Sequence, residues 1–161
     1  MIIGNPDLPI YHNMKAGFIG ALAEDEIQVQ QRHVFSFPTR EHGKQLEMSS
    51  PEAWKELLKT LQAPDCPKAF FTMRDNRAGV LYRAATHCGL KIPQDLSVIS
   101  YDDLSWDEGK FHGLSTIAQP IEEMGSVAVD MLWHWCRFGS PPPNRQLEGK
   151  LIERSSIIPA K

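Results

Sequence analysis

The sequence predicts an α/β fold of three layers, in which helices cover both faces of a mainly parallel sheet. Short apolar runs alternate along the chain with stretches whose apolar residues recur every three or four positions, as strands alternating with helices do. The 12 prolines cluster at the predicted element boundaries, as expected for many short elements. This alternation is typical of parallel sheets with helices on both faces.

The first third of the chain contains two predicted strands and two predicted helices. Residues 1–4 read as the end of a strand, and residues 10–24 as a helix. Its helical spacing is carried by Tyr11, Met14, Phe18 and Leu22. Residues 27–37 favour a strand and precede a polar loop over residues 38–49. Ser49 or Ser50 is expected to cap the second helix, whose apolar stripe is Trp54, Leu57, Leu58 and Leu61.

The middle of the chain repeats the strand–helix–strand order. The run KAFFTM over residues 68–73 predicts a strand, and Asp75 is expected to cap a helix that ends near Cys88. The apolar face of that helix is Ala78, Leu81, Ala85 and Cys88. Gly89 stands where a left-handed glycine ends many helices. Pro93 then opens the turn into the strand LSVISY over residues 96–101.

The last third of the chain adds one long helix between two short strands. LSTI over residues 114–117 predicts a strand, and Gln119 and Pro120 begin a helix that Gly139 ends. Its buried stripe is predicted to be Met124, Ala128, Met131, Leu132 and Trp135. A final strand is expected within residues 147–158.

Composition and absent motifs exclude several classes of function. No nucleotide-binding glycine motif, serine-nucleophile motif or metalloprotease motif occurs, and the scattered histidines do not form a metal-ligand pattern, so neither a cofactor nor a metal is predicted. A net charge of -3 without a lysine or arginine run argues against DNA binding by this chain alone. No apolar run could cross a membrane, no signal peptide is recognisable, and 3 widely spaced cysteines fit a reducing cytoplasm.

Polar residues follow two predicted strands, as MRDN and as YDDL. Ligands of parallel α/β sheets bind at the carboxyl ends of strands, so both segments are candidate sites. Asp102 and Asp103 could hold Mg²⁺ together with Asp75, contact a ligand, or accept backbone N–H bonds in a turn. Asp75 is equally open to a capping role and to a role facing a ligand. Because successive side chains of a strand point to opposite faces, at most one of the two adjacent aspartates faces a cleft squarely.

Four segments together resemble the effector-binding module of the LacI/GalR family of bacterial transcription regulators. They occur in the order and spacing of that family, from about residue 4 to residue 156. The segments are MKAGFIGAL at residues 14–22, FFTMRDNRAG at 70–79, GLKIPQDLSVISYDDL at 89–104 and LSTIAQPIEEMGSVAVDML at 114–132. The last two are the most specific of the four.

The resemblance implies a type I periplasmic-binding-protein-like fold, which has two α/β lobes around a ligand cleft. Residues 1–113 are expected to be chiefly the C-terminal lobe. Residues 114–139 would be a strand–helix excursion into the N-terminal lobe, and residues 140–161 a return strand and tail. The helix-turn-helix, the hinge and most of the N-terminal lobe are expected to be missing, so DNA would be bound only through a domain outside this chain.

The resemblance also implies roles for individual residues. Asp102 matches a position that hydrogen-bonds effector hydroxyls, whereas Asp103 is expected to fix the turn. Phe37 roughly matches an aromatic residue that stacks on the effector, and Gln119 lies at the lobe crossover near the cleft. Two further positions depart from the family: Met14 replaces an effector-contacting arginine, and Arg74, next to Asp75, replaces an asparagine. We therefore expect an effector that differs from simple hexoses or carries an acidic group facing Arg74.

These observations favour a cytoplasmic sensor of a small molecule, sugar or sugar-like, without catalysis. A stand-alone solute-binding protein and a Mg²⁺-dependent phosphotransfer or receiver domain are the alternatives. Family dimer contacts map to the helix carrying Leu81 and to Trp106 and Phe111, although these side chains could equally pack on their own lobe. The long helix that begins at Gln119 and Pro120 and ends near Phe138 would expose its apolar stripe without the missing lobe, so self-association is predicted.

Overall fold

The computed structural model describes residues 1–38, 50–103 and 113–159. Within these ranges the elements follow the predicted alternation of strands and helices. In chain order they are β1 (Ile2–Ile3), α1 (Pro9–Glu24), a 3-10 turn (Gln31–His33), β2 (Phe35–Ser36), α2 (Pro51–Gln62), β3 (Ala69–Phe71), α3 (Asp75–His87), β4 (Ser97–Asp102), β5 (Ser115–Ala118), α4 (Ile121–Phe138) and β6 (Lys150–Ile152).

The strands line up in the order β2-β1-β3-β4-β5-β6. Strands β1 and β2 form one parallel pair, and β3 to β6 form a four-stranded sheet. A parallel bridge between Ile2 and Thr72 joins the two groups. All pairs are parallel except β5 with β6. The predicted mainly parallel sheet is therefore confirmed, and the ends of β3, β4 and β5 lie side by side.

Helices cover both faces of this sheet. On one face α2 and α3 enclose the larger core, which includes the fully buried Leu57, Leu81 and Val98. On the other face α1 places Tyr11 against Ile3, Phe71 and Met73. Burying apolar side chains on both faces requires strands that are apolar in both directions, and the run AFF of β3 meets that requirement.

Local capping rules hold at several helix ends. The Ser50 hydroxyl accepts a hydrogen bond from Ala53 N at 3.2 Å, which confirms Ser50 as the cap of α2. Gly89 and Gly139, which follow α3 and α4, both have φ of 72°, in the left-handed region. Both glycines therefore act as the predicted helix stops.

Two predicted features are wrong because tertiary partners decide them. Residues 27–37 contribute only Phe35–Ser36 as strand, since the partner β1 offers just two residues for pairing. Asp75 is not the cap of α3 but its first residue; Arg74 occupies the cap position without a side-chain capping bond. The Asp75 carboxylate instead accepts a hydrogen bond from the Thr116 hydroxyl of β5.

Helix α4 does not bury its predicted apolar stripe. None of its residues is buried, and Leu132 and Trp135 are 61% and 52% exposed. The described residues supply no layer to cover it. Its preceding strand β5, in contrast, lies inside the main sheet between β4 and β6. A boundary at residue 114 therefore does not separate the strand from the first lobe, and the assignment of α4 to a second lobe stays a prediction.

Of the three predicted dimer contacts, Leu81 alone lies within the described residues. Leu81 is 0% exposed and packs in the core between α3 and its own sheet, because it lies on the inner face of α3. The proposed interface role of Leu81 is therefore corrected to a core role. Trp106 and Phe111 lie outside the described residues.

Candidate ligand site at the carboxyl edge of the sheet

Asp102 is the centre of a polar cluster formed by the ends of three neighbouring strands. Arg74 follows β3, Asp102 ends β4, and Gln119 follows β5. Arg74 Nε donates to Asp102 Oδ2 at 2.9 Å, and Gln119 Nε2 donates to Asp102 Oδ1 at 2.6 Å. Three residues that sequence patterns singled out separately are thus brought together.

The cluster has a buried acceptor and a more exposed donor. The Asp102 side chain is 4% exposed, whereas that of Arg74 is 49% exposed. A buried carboxylate needs paired charge and hydrogen bonds, and both of its oxygens have them. Each carboxylate oxygen can accept two hydrogen bonds, so Asp102 keeps acceptor capacity for the hydroxyls of a ligand.

The backbone at the end of β4 takes an uncommon conformation. Asp102 has φ of 118° and Asp103 has φ of 55°, both in the left-handed half of the map. Such residues persist only where the surroundings hold them, and they concentrate at functional sites. Here the conformation directs Asp102 toward Arg74 and Gln119, while Asp103 pairs with Arg154 at 2.8 Å on the other side. The two aspartates therefore have separate partners.

Hydroxyl groups on β4, on β5 and just after β3 form hydrogen bonds next to this cluster. The Thr72 hydroxyl donates to Ser100 Oγ at 2.9 Å, and both residues are fully buried. Thr116, the Cα partner of Ser100 across β4 and β5, donates from its hydroxyl to Asp75 Oδ1 at 2.9 Å. These bonds orient the Asp75 carboxylate along the sheet edge, next to Arg74.

Two other predicted contact residues occupy different environments. Phe37 is 1% exposed and packs in the core beneath α2 and α3, so in this structure it presents no ring face to a ligand. The position of Phe37 does not support the expected stacking role, because its ring is buried in the core. Met14 is half-buried against the smaller core under α1 and offers no polar group.

A groove lies beside this cluster, between α4 and the segment before β6. Its volume is about 430 Å³. Tyr101 and Gln119 form its inner end, and Met124, Val127 and Met131 of α4 form one side. Gln119 thus belongs to both the groove and the Asp102 cluster, while its place at a crossover between lobes stays a prediction.

Sequence patterns missed three residues of this region. Thr116 and Arg154 act through contacts with residues 41 and 51 positions away, which no local pattern predicts. Arg77, on the first turn of α3, is 1% exposed, and its Nε and Nη1 have no hydrogen-bond partner. Its only sequence signal is an arginine directly beside the apolar face of a helix.

The described part of the chain contains no metal site or membrane helix by geometry. Within residues 1–38, 50–103 and 113–159, no three His, Cys, Asp or Glu side chains are grouped so that they could hold a metal ion. No helix in the same ranges is both long and apolar enough to cross a membrane.

Comparison with known proteins matches nearly the whole chain to one family of binding domains. Residues 1–157 match the model of the periplasmic binding protein-like domain. The chain is similar to the ribose operon repressor of Haemophilus influenzae, at 31% identity over 100% of this chain and 46% of that protein. It is also similar to the transcriptional repressor PurR of Escherichia coli, at 29% identity over 88% of this chain and 39% of that protein.

A solved structure gives the same result in three dimensions. The LacI family transcriptional regulator of Enterococcus faecium with bound ribose superposes with a TM-score of 0.72 and 26% identity, over 99% of this chain and 56% of that chain. The chain thus spans about half the length of the proteins it matches. All three are transcription regulators rather than enzymes, which confirms the prediction of a domain without catalysis.

Proposed function

Because the chain belongs to the family of periplasmic binding protein-like domains, the effector-binding domains of LacI-type regulators, we propose that it senses a ribose-like sugar at the Asp102 cluster. The observation that carries this proposal is the pair of hydrogen bonds that hold the buried Asp102 carboxylate between Arg74 and Gln119. The relatives named for ribose support the sugar class.

The chemistry of the cluster suits adjacent hydroxyl groups. A carboxylate accepts from hydroxyls, while guanidinium and amide N–H groups donate to hydroxyl oxygens, so one cluster can satisfy both sides of a diol. Asp102, Arg74 and Gln119 are fixed on strand ends, which preorganises them and lowers the ordering cost of binding. An aromatic ligand that needs a stacking partner is less well served, since Phe37 is buried.

The proposed mechanism is a shift between two arrangements of the binding domain. A sugar bound at Asp102 would extend along Gln119 toward α4 and stabilise one orientation of α4 relative to the sheet. An effector changes a conformational equilibrium only by its difference in affinity for the two states. In the whole regulator, which would act in the cytoplasm, this difference would alter dimer geometry and operator binding by a DNA-binding domain outside this chain.

Titration calorimetry with D-ribose tests the proposal, with Asp102→Asn as the diagnostic variant. Asn keeps the size of the side chain but removes the charge and one acceptor, so we expect about 10- to 100-fold weaker binding. Asp130→Asn, on the exposed α4, is the matched control and should bind as the unmodified protein does. Equal ribose affinity in the Asp102→Asn variant would overturn the proposal.

A further inference from the structure

The described residues include two buried charged side chains, Asp102 and Arg77, which differ in their hydrogen bonding. Asp102 and Arg77 are 3% and 1% exposed. Asp102 is bonded at both oxygens. Arg77, in contrast, leaves Nε and Nη1 without a hydrogen-bond partner. Buried charged groups are normally paired, so a buried guanidinium with two unbonded nitrogens requires a physical explanation.

Arg77 lies at the same edge of the sheet as the proposed sugar site. It belongs to the first turn of α3, where its backbone N donates to Arg74 O at 3.0 Å. Its guanidinium carbon is 5.1 Å from the centre of the Tyr11 ring. It also lies so close to Gly4, just after β1, that a Cβ there would collide with both Arg77 and Tyr11.

The two carboxylates at this edge are bonded to groups other than Arg77. Arg74 is paired with Asp102, so its charge is already compensated. The carboxylate of Asp75, on the same turn as Arg77, is bonded by Thr116. No described carboxylate forms an ion pair with Arg77. Burial lowers the pKa of Arg77, and the hydroxyl of Tyr11, followed by the charge of Asp102, counteracts this effect.

The start of α3 adds a second attraction for an anion. Partial positive charge accumulates at a helix N-terminus, and Arg74 at the cap position of α3 makes no side-chain capping bond, although Asp75 already places one carboxylate in the first turn. An oxyanion placed against this turn would accept hydrogen bonds from the unused donors of Arg77.

We propose that Arg77 recognises an oxyanion on the effector, so that the ligand of this site is an acidic pentose, a sugar phosphate or sugar carboxylate. The inference rests on the proposed sugar-sensing function, and it moves the expected contact for an acidic group from Arg74 to Arg77. The sugar hydroxyls bind at Asp102 and Gln119, and the oxyanion enters between Tyr11 and the first turn of α3. Since Arg77 is 1% exposed and lies against Tyr11, Tyr11 moves aside when the oxyanion binds.

The test compares ribose 5-phosphate, ribonate and ribose by calorimetry at one ionic strength, with inorganic phosphate as a further ligand. We expect the better of the two acidic pentoses to bind about 10- to 100-fold tighter than ribose, as new hydrogen bonds to a charged group predict. Arg77→Met should abolish this preference. Arg83→Met, on the exposed side of the same helix, should keep it.

Stability measurements separate ligand recognition from a merely structural role. Arg77→Met removes a buried charge that has no carboxylate partner among the described residues, so its melting temperature without ligand should equal or exceed that of the unmodified protein. A clear fall in melting temperature, together with an unchanged preference for the acidic pentose, would overturn the inference.

The remaining outcomes distinguish failure of the oxyanion inference from failure of the sugar-sensing function. Equal affinity for ribose and both acidic pentoses overturns the inference but leaves the sugar site intact. Inorganic phosphate binding as tightly as ribose 5-phosphate would also overturn it, because the sugar would then contribute nothing. An Asp102→Asn variant that binds every pentose normally would instead refute the underlying sugar-sensing function.

Discussion

Arg154 pairs with Asp103 across 51 positions of sequence, with 2.8 Å between Nη2 and the carboxylate Oδ1. The Nη1 of the same arginine donates to the Leu114 carbonyl at 2.8 Å. One side chain from the end of the chain thereby ties the turn after β4 to the start of β5. Because Asp102 and Asp103 both have positive φ, this tie helps to hold the backbone that presents Asp102.

Replacing Arg154 by Met should therefore destabilise the protein. The ion pair is about one third exposed at both partners, which limits its value, but the bond to the Leu114 carbonyl is lost as well. We expect the free energy of unfolding to fall by about 1–2 kcal/mol in urea denaturation followed by circular dichroism. Arg145→Met, an exposed control, should change little. Identical unfolding curves for the two variants would contradict the anchoring role.

Gly4→Ala should be costly because of the close approach of Arg77 and Tyr11. A Cβ at Gly4 would overlap both side chains, so one of them must move. Overpacking of this kind lowers the free energy of unfolding by about 1–3 kcal/mol. Gly20→Ala is the matched control: nothing lies within 4 Å of its added Cβ on α1, and thermal unfolding should show a gain of about 0.5–1 kcal/mol. The prediction fails if both substitutions change stability in the same direction.

The three cysteines should react with a thiol reagent at different rates. Burial raises the pKa of the Cys66 and Cys88 thiols, which lowers their thiolate fraction near pH 8. Cys136 lies exposed on α4. Alkylation followed by mass spectrometry should therefore modify Cys136 first, and Cys136→Ser should remove the fast phase. Equal rates at all three positions in the folded protein would count against this arrangement.

The exposed apolar face of α4 should make copies of this chain associate. Val129 and Leu132 are 65% and 61% exposed, and Trp133 is 68% exposed. Large apolar patches of this kind normally mark contact surfaces. Sedimentation velocity should show association that grows with concentration, and Leu132→Gln with Trp133→Gln should reduce it. Lys59→Gln, an exposed change on α2, is the control and should leave the association unchanged. A monomer at all concentrations of the unmodified chain would refute the prediction.

Local rules predicted the parts of this fold that depend on neighbours within one helical turn. Ser50 caps α2, and Gly89 and Gly139 end their helices, because each effect involves only backbone groups a few residues away. The same rules failed at Asp75, whose carboxylate is taken by Thr116 from another strand. They also failed over residues 27–37, where the length of β1 limits the ladder.

The motif around Asp102 was sufficient to indicate a ligand site at a strand end, but not the partners of its carboxylate. The sequence by itself determined the alternation of strands and helices, the helix ends and the family resemblance, because these depend on periodicity and on short motifs. Only the tertiary structure decided that Arg74 and Gln119 meet at Asp102, that Phe37 and Leu81 are core residues, and that Arg77 is buried with two of its nitrogens unbonded. The physical reason is strand order: the β3-β4-β5 arrangement sets which strand ends adjoin, so Asp102 at the end of β4 bonds to Arg74 after β3 and to Gln119 after β5.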